Sequence, residues 1–312
     1  MKKNLAILLS LLIVFSLPLF ISCNNEYESD ILNEPPVPTI PESPVSDFHF
    51  IPNFDDGGVQ ILSYIGTSPF VRVPAIIEGE PVTRISSHAF FSFDIYDAFI
   101  EVVYMPCTIT YIGDRAFGNN PKLNNIHIPN SVTHIGRDAF AHTNFTSVII
   151  PINTNYIWSG AFANTSLTNV TIPRNVTRIE AFAFSFANLE SVSLPSGLTY
   201  IGMAAFNDTN LTSIDIPNSV AHIGGDAFAF TNLSSVTIPN NVTYIGSNAF
   251  ARTNLTSITI PSGVNYIGSN AFTDLEPFVV FFGGMEVDSI RVTIIGYVTE
   301  YIYVWPSGSI RS

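Results

Sequence analysis

The sequence predicts a mainly β fold, a right-handed parallel solenoid of 22-residue repeats, and two periodic features support this prediction. Prolines recur 22 residues apart, and the phenylalanine of an Ala-Phe pair recurs with the same period. The prolines are Pro129, Pro151, Pro173, Pro195, Pro217, Pro239 and Pro261, and the phenylalanines are Phe140, Phe162, Phe184, Phe206, Phe228, Phe250 and Phe272. Such a short unit cannot bury its apolar face alone, so successive units must stack around a shared core.

The first half of the repeat in 233–250 is typical of a β-strand. Val236 and Ile238 alternate with polar residues, which is the pattern of a half-buried strand. Pro239 is expected to end the strand, because proline has no N–H group for the next ladder hydrogen bond. Parallel pairing of this strand with its copies in neighbouring coils therefore follows from the period.

The second half of the repeat supplies a shorter extended segment and a turn. Val242 and Ile245 form its apolar pair, and Gly246 is expected to allow a turn with positive φ. Phe250 then points into the core and stacks on its equivalents in the adjacent coils. A column of asparagines is expected to satisfy backbone groups between coils. These asparagines are Asn144, Asn188, Asn210, Asn232 and Asn254.

Composition excludes two classes of protein. The chain is 46% hydrophobic and 12% charged, which is typical of a folded chain rather than a disordered one. Its net charge is -13 with only 12 Lys and Arg residues, so it lacks the basic surface that nucleic acid requires.

Residues 1–23 have the features of a secretory signal followed by a lipidation site. Lys2 and Lys3 precede an apolar run, and Ser22 precedes Cys23. A transmembrane helix is the alternative for this run, which is at the short limit for a span and contains a proline. Residues 20–23 resemble a bacterial lipobox, which would make Cys23 the lipidated first residue of the mature protein. The alternative is that Cys23 only lies near an ordinary cleavage site.

Four further segments are expected after the signal. Residues 24–46 are acidic and rich in proline, and they are expected to form an extended tether. Residues 47–80 are expected to cap the solenoid, 81–276 to form the repeats, and 277–312 to form a second, β-rich cap. With only two cysteines no disulfide framework is expected, and Cys107 is interpreted as an inert, partly buried thiol.

The repeat resembles the BspA-type leucine-rich repeat, a bacterial variant of the leucine-rich repeat solenoid. The shared motif is L-x-x-I-x-I-P-x-x-V-x-x-I-G-x-x-A-F, which is intact in 211–228, 233–250 and 255–272. Trp158 and Glu180 replace the glycine of the motif, so a left-handed residue is not obligatory there. The resemblance implies an exported, surface-displayed module for binding or adhesion, without catalysis and without a cofactor.

Two rows of side chains form the candidate binding surface. On the outward strand positions, Tyr104, His127 and Ile149 should be neighbours and form the bulky cluster of an otherwise polar sheet. The second row would suit sugar rings or a peptide, and its tyrosines Tyr200, Tyr244 and Tyr266 are candidate contacts. This row comprises Tyr111, His134, Tyr156, Arg178, Tyr200, His222, Tyr244 and Tyr266. The alternatives are that the first cluster covers a cap and that the second row only shields the coil.

An insertion near 91–97 breaks the repeat. Residues Phe90 to Pro106 are 16 apart, compared with 11 in the regular coils. Insertions in solenoids form loops on one face, which is often the binding face. The alternative is a loop that folds over the first coil.

The pattern offers no catalytic or metal site. His134 and His222 are four coils apart, roughly 19 Å at the strand spacing, so they cannot share a metal ion. Glycoside cleavage needs two converging carboxylates, whereas the strand face offers Asp215 alone. An ice-binding surface would need regular rows of threonine, and His127 and Ile149 interrupt them.

The resulting hypothesis is a lipid-anchored protein on the outer membrane or cell surface. Its partner would be a protein or glycan on a host or neighbouring cell, and its only membrane contact would be the lipid on Cys23. The alternative is a structural envelope protein that acts by self-association through the same surface.

Overall fold

The computed structural model describes residues 40–275, with the exception of residues 54, 56 and 95. It also describes the backbone of four later strands. Those strands are Val279–Phe282, Met285–Val287, Val292–Ile295 and Val298–Tyr301. The predicted signal at 1–23, with Cys23, and the tether up to residue 39 lie outside the described residues. A short 3-10 helix, Val45–Asp47, precedes the first strand. The fold is a parallel β-solenoid, which confirms the predicted fold class.

The alternating strand of each repeat forms the first sheet, whose outward side is called the strand face below. Pairing is parallel and in register, so that Val103 lies opposite Ile126 and Val170 lies opposite Val192. In the described part of the chain this sheet has three stretches. They are Phe70–Arg72, Val102–Tyr104 and Asn125–His127; Asn169–Thr171 and Ser191–Ser193; and Ser257–Ile260, Val279–Phe282 and Met285–Val287.

The shorter strand of each repeat forms the second sheet, in two stretches. The first stretch contains Phe48–Pro52, Val59–Tyr64, Ile76–Ile77, Glu80–Ile85, Tyr111–Ile112 and His134–Ile135. The second stretch contains Tyr156–Ile157, Arg178–Ile179, Tyr200–Ile201, His222–Ile223, Tyr244–Ile245 and Tyr266–Ile267. The ladder between Ile135 and Tyr156 is interrupted in the coil where Trp158 replaces the motif glycine.

The Ala-Phe segments stack on a third side, called the turn face below. Their backbone groups are paired between coils: the N–H of Phe184 donates to the carbonyl of Ala205, and that of Phe206 to Ala227, at 2.8 and 2.9 Å. From Ala116-Phe117 onward, each segment contains two residues with positive φ, one just before the Ala-Phe pair and one two residues after it. Asn248 and Arg252, for example, have φ of 56° in the same coil.

The core is a continuous ladder of phenylalanine rings, as the period predicts. Neighbouring ring centroids are 4.8–5.6 Å apart, and the ring planes lie within 19° of parallel. The ladder comprises Phe90, Phe117, Phe140, Phe162, Phe184, Phe206, Phe228, Phe250 and Phe272. Burying each ring contributes roughly 1.5–3 kcal/mol, so the ladder is a main source of stability.

The motif glycine serves close packing, and the expectation of a positive φ at Gly246 is wrong. Gly246 is not among the left-handed residues. A Cβ atom there would lie 2.2 Å from the backbone nitrogen of Gly225 and 2.5 Å from the carbonyl carbon of Gly224. Only a residue without a side chain permits this approach of adjacent coils. The left-handed positions follow two and six residues later, at Asn248 and Arg252.

Buried threonines satisfy the backbone at the end of the Ala-Phe segment. Each Oγ1 donates to the carbonyl oxygen of the ladder phenylalanine three residues earlier, at 2.7–3.0 Å. These threonines are Thr143, Thr165, Thr209, Thr231 and Thr253.

Asparagines also link the coils, although mainly at a different position from the one predicted. The amides of Asn153, Asn175 and Asn241, two residues after the repeat proline, donate to backbone carbonyls of the preceding coil at 2.6–2.9 Å. In the predicted column, the amide of Asn254 lies 3.5 Å from the carbonyl of Asn232. The asparagines that follow the repeat proline, rather than those that follow the buried threonine, are thus mainly the ones whose amides reach the neighbouring coil.

The described ends of the solenoid carry extra strands. At the N-terminal end, Phe48–Pro52 pairs antiparallel with Val59–Tyr64, which itself pairs parallel with Glu80–Ile85. At the other end, Val279–Phe282 continues the first sheet, and Met285–Val287 pairs antiparallel with it. Further along, Val292–Ile295 pairs antiparallel with Val298–Tyr301.

Cys107 differs from the sequence-based expectation. It is half-buried and disulfide-bonded, so its interpretation as an inert thiol is wrong. Spacing along a chain does not reveal which sulfur atoms come together in the fold, which is why the sequence could not indicate the bond.

Candidate functional site

The first predicted cluster lies on the strand face. Tyr104 and His127 are direct partners in the parallel ladder, and Arg72 precedes them in the same row, opposite Tyr104. Ile149 belongs to the next coil, where the ladder is interrupted, and 64% of it is exposed. The structure therefore brings two of the three predicted residues together and adds Arg72. The sequence signal for Arg72 was its place in Val71-Arg72-Val73-Pro74, which matches the strand of the repeat.

Further along, the strand face is polar and carries a shallow depression. Its cavity volume is about 560 Å³, and it lies between two coils. Exposed hydroxyl groups line it, those of Ser235, Thr237, Ser257 and Thr259. This surface offers hydrogen bonds without charge.

The second predicted row is a stack of rings, and a guanidinium lies over the ring of Tyr111 and another over that of Tyr200. Arg84 lies 3.9 Å above the ring of Tyr111, which stacks on His134 at 4.5 Å. After the interruption at Trp158, Arg178 lies 3.9 Å above the ring of Tyr200. The stack then continues through His222, Tyr244 and Tyr266 with centroids 4.3–4.7 Å apart.

This stacking limits what the tyrosines can bind. Both faces of Tyr200 and Tyr244 are covered by neighbours, so neither ring can stack on a sugar or peptide plane. Their edges and hydroxyl groups remain on the surface, with a spacing close to that of the coils. Tyr266 and Tyr156 are more open, with 43% and 41% of each residue exposed. As a binding surface the row therefore presents a line of hydrogen-bonding edges.

The environment of the stack alters its acid–base behaviour. Partial burial lowers the pKa of His134 below its usual value of 6.5, and Arg84 adds to this while Asp114 opposes it. Burial and the charge of Arg178 lower the pKa of His222 in the same way. Burial and the neighbouring Tyr266 raise the pKa of the Tyr244 hydroxyl. A neutral imidazole is thus favoured in both stretches.

Arg178 also has an acidic partner. Its Nε donates to the Oε1 atom of Glu180 at 2.7 Å, and this hydrogen bond raises the pKa of the guanidinium. Glu180 is one of the two residues that replace the motif glycine, so the exception in the sequence supplies the counter-charge in the structure.

The insertion after Phe90 forms an exposed aromatic loop. Phe93 and Tyr96 are each 87% exposed. The loop is held by hydrogen bonds: Asn119 donates to the carbonyl of Ser92, and the hydroxyl of Ser92 donates to the carbonyl of Asp94, both at 2.6 Å. The loop projects two rings into solvent, as an insertion on a binding face would.

A second group of exposed rings lies on the turn face, and sequence reasoning missed it. Phe182, Phe186 and Phe230 are 43%, 52% and 47% exposed, and all three have positive φ. In other coils the same positions are mostly occupied by Asp, Asn, Gly or Ala. The available signal was the extra phenylalanine two residues after the Ala-Phe pair, at Phe186 and Phe230.

No metal cluster is found in the part of the chain that the structure describes: no three His, Cys, Asp or Glu side chains converge there on one point. Within the same residues, no helix has the length and apolar character needed to cross a membrane.

Comparison with known proteins agrees with the repeat geometry. The family model of the BspA type leucine rich repeat region matches residues 62–165 and 155–277, in six copies. Among solved structures, a leucine rich cell surface protein from Faecalibacterium prausnitzii is 27% identical, with a TM-score of 0.55, covering 78% of this chain and 76% of its own. A leucine-rich repeat protein from Bacteroides ovatus is 24% identical, with a TM-score of 0.57, covering 76% and 70%, and shows the same fold. The comparison with curated proteins gives no match.

The matched segments span most of the chain and coincide with the stacked coils described above. The chain therefore belongs to the BspA-type leucine-rich repeat family.

Proposed function

We propose that this protein is an exported, surface-anchored binding protein of adhesin-like type, without catalytic activity. The observation that carries the proposal is the way the coils use their side chains. The apolar residues and the phenylalanine ladder fill the interior, while hydroxyl groups, ring edges and exposed aromatics form the outside. Such a surface can make contacts, and among the described residues no three His, Cys, Asp or Glu side chains converge on one point of it. The partner is a protein or glycan on a host or neighbouring cell.

The family and the F. prausnitzii cell surface protein support the proposed location. Export would use residues 1–23, and a lipid on Cys23 would anchor the chain to the membrane. A lipid on Cys23 requires a free thiol there, so the anchor requires that Cys23 is not the partner in the disulfide of Cys107. The mass of the N-terminal peptide from the mature protein tests the anchor: a diacylated Cys23 supports it, and an unmodified or disulfide-bonded Cys23 contradicts it.

Surface display and binding can be tested on intact cells. A protease that cannot cross the membrane should remove the repeats from cells that make the protein, while a cytoplasmic control protein survives. Cells that display the protein should adhere to matrix proteins or to a glycan array better than cells lacking it. Protection from the protease, or equal adherence by both cell types, would contradict the proposal.

The predicted strand-face cluster can be tested in the same assay. A variant with Tyr104→Ser, His127→Ser and Ile149→Ser makes this row resemble the hydroxyl-rich coils that follow it. Adherence should fall if the cluster is the contact. A matched variant with Ser191→Ala and Ser213→Ala, on the same face but outside the hydroxyl-lined depression, should leave adherence unchanged.

A further inference from the structure

Three exposed phenylalanines on the turn face have a backbone conformation that their side chains do not favour. Phe182, Phe186 and Phe230 have φ values of 60°, 59° and 60°. The left-handed region is costly for a bulky residue with a Cβ atom, and Asn, Asp and Gly enter it more easily. Other coils place Asp226 or Asn164 at the equivalent positions, so the fold itself does not require phenylalanine there.

These three rings and Met203 are all exposed on the turn face within three successive coils, and together they are called the turn-face patch below. Phe182 and Met203 are joined by a backbone hydrogen bond of 2.8 Å between adjacent coils, and Met203 is 46% exposed. Phe186 is followed in its column by Asp208 and then by Phe230, each one coil further along. The ladder rings below them are 5.5 Å apart per coil, so the patch extends over three successive coils.

The charges around the patch are acidic. Asp208 is exposed and Asp226 is half-buried, and neither forms an ion pair with any described residue. Arg252, the nearby cation, already pairs with Asp274 at 2.8 Å. Exposed phenyl faces beside unpaired carboxylates attract cations, because the ring face and the carboxylate are both negative. Within the protein, Arg252 already lies 5.0 Å above the ring of Phe230.

We propose that this turn-face patch docks a polypeptide segment of a partner protein in which Lys or Arg alternates with apolar residues. The phenyl rings and Met203 would cover the apolar side chains, and the two carboxylates and the ring faces would hold the cations. This names a face and a partner chemistry for the proposed binding function and so rests on it. The unfavourable φ values at these three positions are consistent with a role in binding rather than in folding, because residues with strained backbones concentrate at functional sites.

The binding test uses the full chain purified in detergent and fluorescent peptides of equal length. The probe alternates lysine with leucine; one control alternates lysine with serine, and another alternates glutamate with leucine. Anisotropy at physiological salt should show binding of the lysine–leucine peptide and much weaker binding of both controls. Equal binding of the lysine–serine peptide would overturn the proposal, because it would show attraction by net charge alone. Absence of lysine–leucine binding would overturn it as well.

A triple variant separates the site from the fold. Phe182→Asn, Phe186→Asn and Phe230→Asn place a residue that tolerates positive φ at each position, so the melting temperature should stay the same or rise. Affinity for the lysine–leucine peptide should fall roughly tenfold to a hundredfold. A clear fall in melting temperature with unchanged affinity would show that the rings serve the fold and would overturn the proposal.

Two further variants make the test specific. Asp208→Asn and Asp226→Asn keep the rings, and each should weaken peptide binding roughly twofold to fivefold. Phe93→Asn with Tyr96→Asn removes exposed rings elsewhere and should leave binding unchanged.

If the wild type forms dimers in sedimentation and the triple variant does not, the patch joins two copies of this chain and the proposal fails. Peptide binding that persists without adherence of displaying cells would overturn the proposed function while leaving the patch as a peptide site.

Discussion

At the scale of single residues, each column of the repeat reflects one local requirement. Gly246 lacks a side chain because the backbone of the preceding coil leaves no room for a Cβ atom. Thr209 is buried because its hydroxyl satisfies the carbonyl of Phe206. Where a coil has a different residue type from the rest of its column, the local requirement of that position is not met, and the resulting change in the free energy of unfolding can be measured.

Two threonine-to-valine changes should act in opposite directions. Thr209→Val removes a buried donor from the carbonyl of Phe206 and should lower the free energy of unfolding by about 1 kcal/mol. Thr154 is fully buried and its Oγ1 has no hydrogen-bond partner among the described residues, while Val132 and Val176 occupy the same position in neighbouring coils. Thr154→Val should therefore raise the free energy of unfolding by about 1 kcal/mol. Urea unfolding of both variants checks this, and equal signs would contradict it.

Two glycine-to-alanine changes should differ for a steric reason. Gly246→Ala places a Cβ atom 2.2 Å from the backbone of the preceding coil and should cost about 1–3 kcal/mol of stability. Gly197→Ala is the matched control, because its Cβ atom would be 3.7 Å from the nearest atom, the carbonyl oxygen of Arg174. This control should be neutral or stabilising by less than about 1 kcal/mol. Similar losses for both variants would show that close packing of coils is not the reason for the glycine.

At the scale of elements, the ring stack of the second sheet behaves as one unit. Its rings shield one another, and the guanidinium groups of Arg84 and Arg178 cover the rings of Tyr111 and Tyr200. The stack therefore favours neutral imidazoles at His134 and His222, whose pKa values are lowered. A lowered pKa in the folded state links the stability of this element to pH.

The protein should lose stability as the pH falls below about 6.5. In the unfolded chain His134 and His222 bind protons near their ordinary pKa, whereas in the folded chain they bind them only at lower pH. The unfolded state then holds more protons, so stability is present above the unfolded pKa and is lost as the pH falls through the folded pKa. Urea midpoints measured across this range should decrease for the wild type. The double variant His134→Gln and His222→Gln should show a smaller decrease, and an equal one would contradict the assignment.

At the scale of the whole molecule, the architecture could be predicted because one requirement repeats in every coil. The ladder from Phe140 to Phe272 follows from the period alone, since each ring must pack on its copy. Features that depend on how closely neighbouring coils approach one another could not be predicted from the repeat period. Gly246 allows both a positive φ and a close contact, and only the structure distinguishes them.

The candidate surfaces show the same limit. The sequence places Tyr104 beside His127, and it places Tyr200 and Tyr244 in one row, but it cannot show that the ring faces in that row are already covered. The turn-face rings were missed because their column varies between coils and its left-handed backbone is visible only in three dimensions. Periodic positions are therefore predictable, while the variable positions of the candidate surfaces are not.

The central claim is that identical coils stack around one continuous core, so that a coil can be removed without changing the rest. Deleting residues 233–254 removes one full 22-residue period and joins Asn232 to Leu255, which restores the motif. The circular dichroism of this variant should retain the β-sheet signal and a cooperative melting transition, whereas deletion of 233–243, half a coil, should abolish both for the coils that follow. Equal loss of structure in the two deletions would contradict the claim.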